Sequence, residues 1–176
     1  MIEVVDYDPE WADRFRQIRN RVWPGICHIA VEFEHVGSTS VPGLAAKPVI
    51  DIDVVIPSHA ELAEVIRCLE PMGYEHRGNL GITDRDAFSS PPGTSAHHLY
   101  VCPSTSVALR NHLTLREHLR AHSKDRDAYA TLKRTLAVNC DGIDDYSRRK
   151  TQFIVSILRN YGFSPEELAL IRGANE

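Results

Sequence analysis

Apolar positions change period along this chain, and the change sorts it into helices and strands. Trp11, Phe15, Ile18 and Val22 recur every three or four residues, the spacing of one helix face. Asp8 suits the N-cap of that helix and Pro9 its first position, so a first helix is predicted to run to about Val22, before Pro24. Val31–Val36 and the apolar run from Val49 to Ile56, closed by Pro57, read as strands. Side chains alternate faces along a strand, so Ile50, Ile52, Val54 and Ile56 share one face, and Val49, Asp51, Asp53 and Val55 the other. Ser58 and Glu61 form a capping-box pattern ahead of a helix with the buried stripe Leu62, Val65, Ile66 and Leu69, and Gly73 follows its end.

Tyr74–Arg77 reads as a strand. Residues 78–93 are rich in glycine and proline, with a short strand near Ala87–Phe88. His97–Cys102 is a further strand. Beyond Pro103 the period becomes helical throughout. One helix spans Val107–His122, with Leu109, Leu113 and Leu119 inward. Ser123 caps a second, carrying Tyr129, Leu132, Leu136 and Val138. Asp144 or Asp145 starts a third, with Tyr146, Phe153, Ile154, Ile157 and Leu158, and a short helix from Ser164 frays at the end. Helix and strands first, helices afterwards, predicts an α+β (mixed α/β) fold. Its expected form is a small mixed sheet over residues 1–105, with a helical part over 106–176 packed against it as one compact unit. Strand–helix alternation is too sparse for a parallel doubly wound sheet.

Composition narrows the function class. The chain has 176 residues, 43% hydrophobic and 25% charged, with a formal net charge of −4. That balance argues against a membrane-surface or long nucleic-acid binder. No apolar stretch approaches the roughly 18 residues of a membrane span, and the first residues lack a signal-peptide pattern. Cys27, Cys68, Cys102 and Cys140 lie far apart with no CxxC pair, as expected for buried thiols in a reducing compartment. A cytoplasmic protein is the expectation.

Candidate chemistry centres on Gly37–Ser38, followed by Asp51 and Asp53. A Gly-Ser turn lets backbone amides approach phosphate oxygens. Two acids side by side on one strand face repel each other. A divalent cation relieves that repulsion, and hard oxygen ligands suit Mg²⁺. Lys47 lies in the loop between the turn and the acids. Arg116, Arg120 and Lys124 recur every four residues, as along one helix face. Lys150 stands on a mostly apolar stripe, where it either snorkels or points into a site. Arg110 and His112 are weaker candidates. His112, His118 and His122 are spaced too irregularly for one metal face, and solvation is expected for them. Trp11 and Phe15 read as core staples.

Several stretches together resemble the GrpB-like family (UPF0157), a branch of the nucleotidyltransferase superfamily. They are Tyr7–Trp11, the block Glu34–Ile52 with its His35-Val36-Gly37-Ser38-Thr39-Ser40 run, His97–Leu99, Arg116–Arg120, Tyr129–Lys133, and Lys150 with Phe153–Ile154. The resemblance covers about residues 4–158 and implies Gly-Ser at the end of one strand and DxD on its neighbour. It also implies metal-dependent transfer of a nucleotidyl group from a nucleoside triphosphate. Asp51 and Asp53 would hold Mg²⁺ or Mn²⁺, and Gly37, Ser38, Lys47, Arg116 and Lys150 would bind phosphate. The acceptor would be an unknown small molecule or protein hydroxyl. Family members occur fused to dephospho-CoA kinase.

Active superfamily members usually add a carboxylate from a third strand. Here that strand offers His98, a candidate metal ligand, and Tyr100, where the family commonly has histidine; Glu34 and Asp86 are the alternative acids. Ser89–Ser90 stands where many members carry a basic residue. Two other readings stay open: a nucleotide- or phosphometabolite-binding module without catalysis, and phosphoester hydrolysis at the same acids.

Overall fold

The computed structural model describes residues 2–173. Five strands form one mixed sheet: β1 (Glu32–Val36), β2 (Ile50–Ile56), β3 (Glu75–His76), β4 (Asp86–Ser89) and β5 (His97–Pro103), in the order β1-β2-β5-β4-β3. β2 and β5 run parallel, and every other neighbouring pair is antiparallel. The helices are α1 (Glu10–Ile26), α2 (Leu62–Leu69), α3 (Val107–Ala121), α4 (Ser123–Asn139), α5 (Ile143–Leu158) and α6 (Pro165–Gly173). This is the expected mixed α+β architecture. The predicted fraying of the last residues concerns 174–176, outside the described residues.

The β2 alternation holds. Ile50, Ile52, Val54 and Ile56 are buried with Trp11, Val22 and Ile26 of α1 and Val65 and Leu69 of α2, in the main core. On the reverse face, Val55 packs with Cys102 of β5 and Leu109 of α3. One face of the sheet is therefore closed by α1 and α2, while α3 meets the other, and Asp51 and Asp53 belong to that second face. Burying one large apolar side chain contributes about 1.5–3 kcal/mol, so a register slip in β2 that exchanged its faces is strongly disfavoured.

Several boundaries differ from expectation for local reasons. α1 runs past Pro24 to Ile26. Ile26 is fully buried, and Gly25 admits the Met72 side chain, whose Cε lies 2.1 Å from where a Cβ would stand. Packing thus holds the last turn against proline's missing hydrogen bond. Asp8 Oδ1 accepts from the Glu10 amide (2.9 Å), although the helix begins one residue later than predicted. The Ser58–Glu61 capping box is present. Ser123 makes no side-chain cap for α4, whereas Ser106 caps α3, accepting from the Leu109 amide.

Val138 is 83% exposed rather than inward, while Lys133 is 2% exposed. The buried face of α4 is Tyr129, Ala130, Lys133 and Leu136. α3 and α4 break at His122, so Lys124 does not continue the Arg116–Arg120 face. Of the four free cysteines only Cys102 is buried.

Candidate functional site

Gly37 follows β1 directly and leads into a single 3-10 turn, Ser38–Ser40. Its backbone has φ +69° and ψ −173°, a region open essentially to glycine alone. β1 pairs with β2 so that Val36 lies opposite Asp51. A Cβ on Gly37 would stand 2.3 Å from Asp51 Oδ2. The turn and the first acid are therefore in direct contact. Ser40 braces the turn, its hydroxyl donating to the Gly37 carbonyl (2.6 Å). From α3, Arg120 donates to the Ser40 carbonyl (2.7 and 3.1 Å) and Arg116 to the His35 carbonyl (2.9 Å). His35 stacks on Phe15 (4.7 Å between centroids) and shares a hydrogen bond with Thr39 (3.0 Å). Burial pushes its imidazole down to about 4, so it is neutral at pH 7.

The two acids have different surroundings. Asp51 is half-buried and accepts from His98 Nδ1 (2.9 Å) across the β2–β5 pair. That hydrogen bond raises the His98 imidazole above its ordinary value, against burial. Asp53 is 0% exposed. Its Oδ2 accepts from His112 Nδ1 of α3 (2.7 Å), and its Oδ1 is buried without a partner. Burial lowers the His112 imidazole, but the charge and hydrogen bond of Asp53 outweigh it and the net shift is upward.

A cavity of about 660 Å³ lies over this face. Gly37, Ser38, Lys47, Asp51, His98, Arg116 and Lys150 all line it, so one space unites these sequence-predicted residues. Asp53 lies behind its wall. Lys47 and Lys150 both approach the ring of Tyr146 (4.9 and 5.4 Å). Burial lowers both ammonium groups, and Asp51 opposes the shift. Arg116 reaches the cavity with its donors engaged, Nη1 to Glu34 (2.5 Å) and Nε to Glu117 (2.7 Å).

Sequence reasoning missed Lys133 and Arg85 in this wall, and gave His112 only a weaker place. Lys133 donates to Ser38 Oγ (2.8 Å) and to the Ala45 carbonyl, and its Nζ lies 4.7 Å from the Tyr129 ring centre. Burial first, then Lys150 and Arg134, push it down to about 7. Arg85 lies over the Tyr100 ring (4.3 Å). His112 is the partner of Asp53 rather than a solvated histidine, and His118 is also buried, between Tyr161 and Asp125. The signals for Lys133 were its place four residues after Tyr129, on the same helix face, and its position in the Tyr129–Lys133 stretch that carries the resemblance.

Neither alternative acid completes a third-carboxylate site. Asp86 pairs in register with Val101, which places it on the opposite sheet face, bound to His76 (2.7 Å). Glu34 lies opposite Asp53 on the correct face, but Arg116 occupies it. Tyr100 takes the register position beside Asp53 on β5, and burial pushes its hydroxyl up to about 12. Among the described residues, no group of three or more His, Cys, Asp or Glu is arranged to hold a metal ion. Of the two acids only Asp51 faces the cavity, so it is the one carboxylate that a Mg²⁺-like cation could share with a substrate's phosphates. Asp53, expected as its co-ligand, is instead buried behind the wall, with Oδ2 on His112 and Oδ1 without a partner.

The chain is 34% identical over 162 residues to a UPF0157 protein of Streptomyces coelicolor, covering 92% of this chain and 84% of that one. It is 30% identical over 160 residues to the UPF0157 protein YqkA of Bacillus subtilis, covering 90% of this chain but only 47% of that relative. A segment of 76 residues, 42% of the chain, is 40% identical to 19% of a dephospho-CoA kinase of Mycolicibacterium paratuberculosis. Among solved structures, GrpB from Enterococcus faecalis superposes with a TM-score of 0.78 at 29% identity, over 90% of this chain and 99% of that one. The Cid1 poly(U) polymerase in complex with the UTP analogue UMPNPP superposes with a TM-score of 0.59 at 15% identity, over 88% of this chain and 50% of that one. That distant likeness establishes a nucleotidyltransferase fold. The model of the family described as GrpB protein matches residues 1–160, and the chain belongs to that family.

Proposed function

We propose that this chain is a metal-dependent nucleotidyltransferase, moving a nucleotidyl group from a nucleoside triphosphate to a hydroxyl acceptor. The observation that carries the reading is the contact between Gly37 and Asp51 on the wall of a cavity that also holds three lysines. Phosphates need close-approach backbone and cations, and attack at phosphorus needs a carboxylate beside them; here both requirements converge.

In this reading Gly37 and Ser38 cradle the triphosphate, with Ser38 oriented by Lys133. Lys150 and Lys47 neutralise its charge. Arg116 and Arg120 hold the turn in place through its carbonyls. The acceptor oxygen forms a bond to the α-phosphorus, the bond from that phosphorus to the bridging oxygen breaks, and pyrophosphate leaves. The hydroxyl proton passes to the Asp51 carboxylate, which His98 orients. A divalent cation held at Asp51 would supply further charge neutralisation at the phosphates.

Pyrophosphate release tests this directly. Nucleoside triphosphates are incubated with panels of small hydroxyl compounds and proteins, with Mg²⁺ or Mn²⁺. Release that needs the metal and falls at least about a hundredfold in Asp51→Asn is expected, the scale of losing a group that acts only in the transition state. Release that is indifferent to Asp51→Asn would exclude this chemistry. A second reading, a binding module without catalysis, draws on the histidine partners of both acids and on Tyr100 beside Asp53. It predicts metal-independent nucleotide binding and no pyrophosphate.

A further inference from the structure

The cavity has two ends, and only one of them suits a triphosphate. Around Ser38, Lys133 and Lys150 the wall is cationic and glycine-hinged. Beyond Asp51, where β5 meets α3, it is built from Arg85, Tyr100 and Asn111. The Arg85 side chain makes no hydrogen bond or ion pair among the described residues, and its Nε is buried without a partner. Its guanidinium carbon lies over the Tyr100 ring, 4.3 Å from the centroid. Tyr100 is fixed in turn by its register position beside Asp53 and by its neighbour His112 (6.3 Å between ring centres). On α3, the residue before His112 is Asn111, and its Oδ1 is also buried without a partner.

A buried donor and a buried acceptor left unmade are costly. Their chemistry specifies what satisfies them. A guanidinium takes an anionic oxygen, carboxylate or phosphate. An amide oxygen takes a hydroxyl or amine proton. Both lie on the far side of Asp51 from the phosphate cradle, where the attacking group would stand.

We propose that Arg85, Tyr100 and Asn111 form the acceptor subsite, and that the acceptor is a small hydroxylated molecule carrying its own carboxylate or phosphate. This rests on the transferase reading for the word acceptor, while the anion site itself stands on the geometry alone. Arg85 binds the anionic group, Asn111 accepts from a hydroxyl, and Tyr100 is a positioning residue over whose ring the guanidinium lies. Of the three residues at this end of the cavity only Arg85 carries a charge, so it is the feature that selects such a ligand.

Three probes of one carbon skeleton test the proposal: glycerol, glycerate and glycerol 3-phosphate. Each is titrated into the full chain, with a nonhydrolysable triphosphate and Mg²⁺ present. The readout is the NMR shift of the Arg85 Nε–H and Asn111 side-chain amide signals. At least one anion should move both signals at a concentration about tenfold or more below that required for glycerol, the scale of one charge-assisted hydrogen bond. Glycerate against glycerol 3-phosphate tells carboxylate from phosphate. Arg85→Met should erase the preference and Arg85→Lys, which keeps the cation, should retain part of it, so the test survives if one variant folds poorly. Equal response to all three probes, or an anion preference that survives Arg85→Met, overturns the subsite. If the anions act as expected but no metal-dependent nucleotide binding occurs, the subsite stands and the transferase reading falls. If the nucleotide binds with metal and no anion is preferred, the reverse holds.

Discussion

Gly37 stands at φ +69° and ψ −173° with Asp51 Oδ2 where its side chain would be. Gly37→Ala should therefore destabilise the fold by about 1–3 kcal/mol, read by urea denaturation, and should lose nucleotide binding as Asp51 is displaced. Lys133 makes a different prediction. Its ammonium, held down at about 7 by burial, lies below its ordinary value in solution. Between about pH 7 and pH 10 the unfolded chain binds the proton and the folded chain does not, so stability rises with pH across that window, by at most about 1.4 kcal/mol per unit. Lys133→Met should remove that slope in denaturation curves taken at several pH values. An anion bound beside Ser38 favours the charged lysine, so triphosphate binding should take up a proton above pH 7 and weaken as pH rises. Calorimetry in buffers of different ionisation enthalpy measures both effects.

Among the elements, β2 was the most legible. Period-2 alternation in a run of Val and Ile identifies a strand from local information, and so it put Asp51 and Asp53 on one face. What lies across from them was not legible. His112 comes 59 residues after Asp53, and no local pattern encodes that pairing. α4 misled for a physical reason: a lysine within a helix is ordinarily solvated, so the apolar count favoured Val138 over Lys133. The tertiary cavity reverses that order, because Ser38 and the Ala45 carbonyl accept from Lys133. Lys47 and Lys150 were legible from a loop position and an interrupted apolar stripe, but Arg85 lay in a glycine-rich segment with no period to read. The link between β2 and α3 is testable. His112→Ala leaves Asp53 buried and unpaired, which should cost about 3 kcal/mol, whereas Asp53→Asn with His112 retained should cost less. Since the His112 imidazole is raised, its contribution is complete below its ordinary value near pH 6.5 and is lost as pH rises through its folded value.

For the molecule as a whole, both sheet faces have been given separate tasks. α1 and α2 close one face over the apolar side of β2, which fixes strand register and so the placement of every acid and histidine on the other. α3, α4 and α5 then enclose the cavity, bringing residues from position 37 to position 150 around one space. No helix among the described residues is long and apolar enough to cross a membrane. A ligand bridging sheet and helices should stabilise the fold in proportion to its saturation, so a nucleoside triphosphate with Mg²⁺ should raise the melting temperature, and differential scanning fluorimetry can follow it.

All of this rests on neighbouring groups, a hinged phosphate cradle and an aspartate, acting together on one polyphosphate. Calorimetric titration of a nonhydrolysable nucleoside triphosphate, with and without Mg²⁺, into the unaltered chain and Asp51→Asn, measures that directly. The expected result is saturable binding that tightens with the cation, with that gain abolished by the substitution. Identical heats in all four titrations would contradict it.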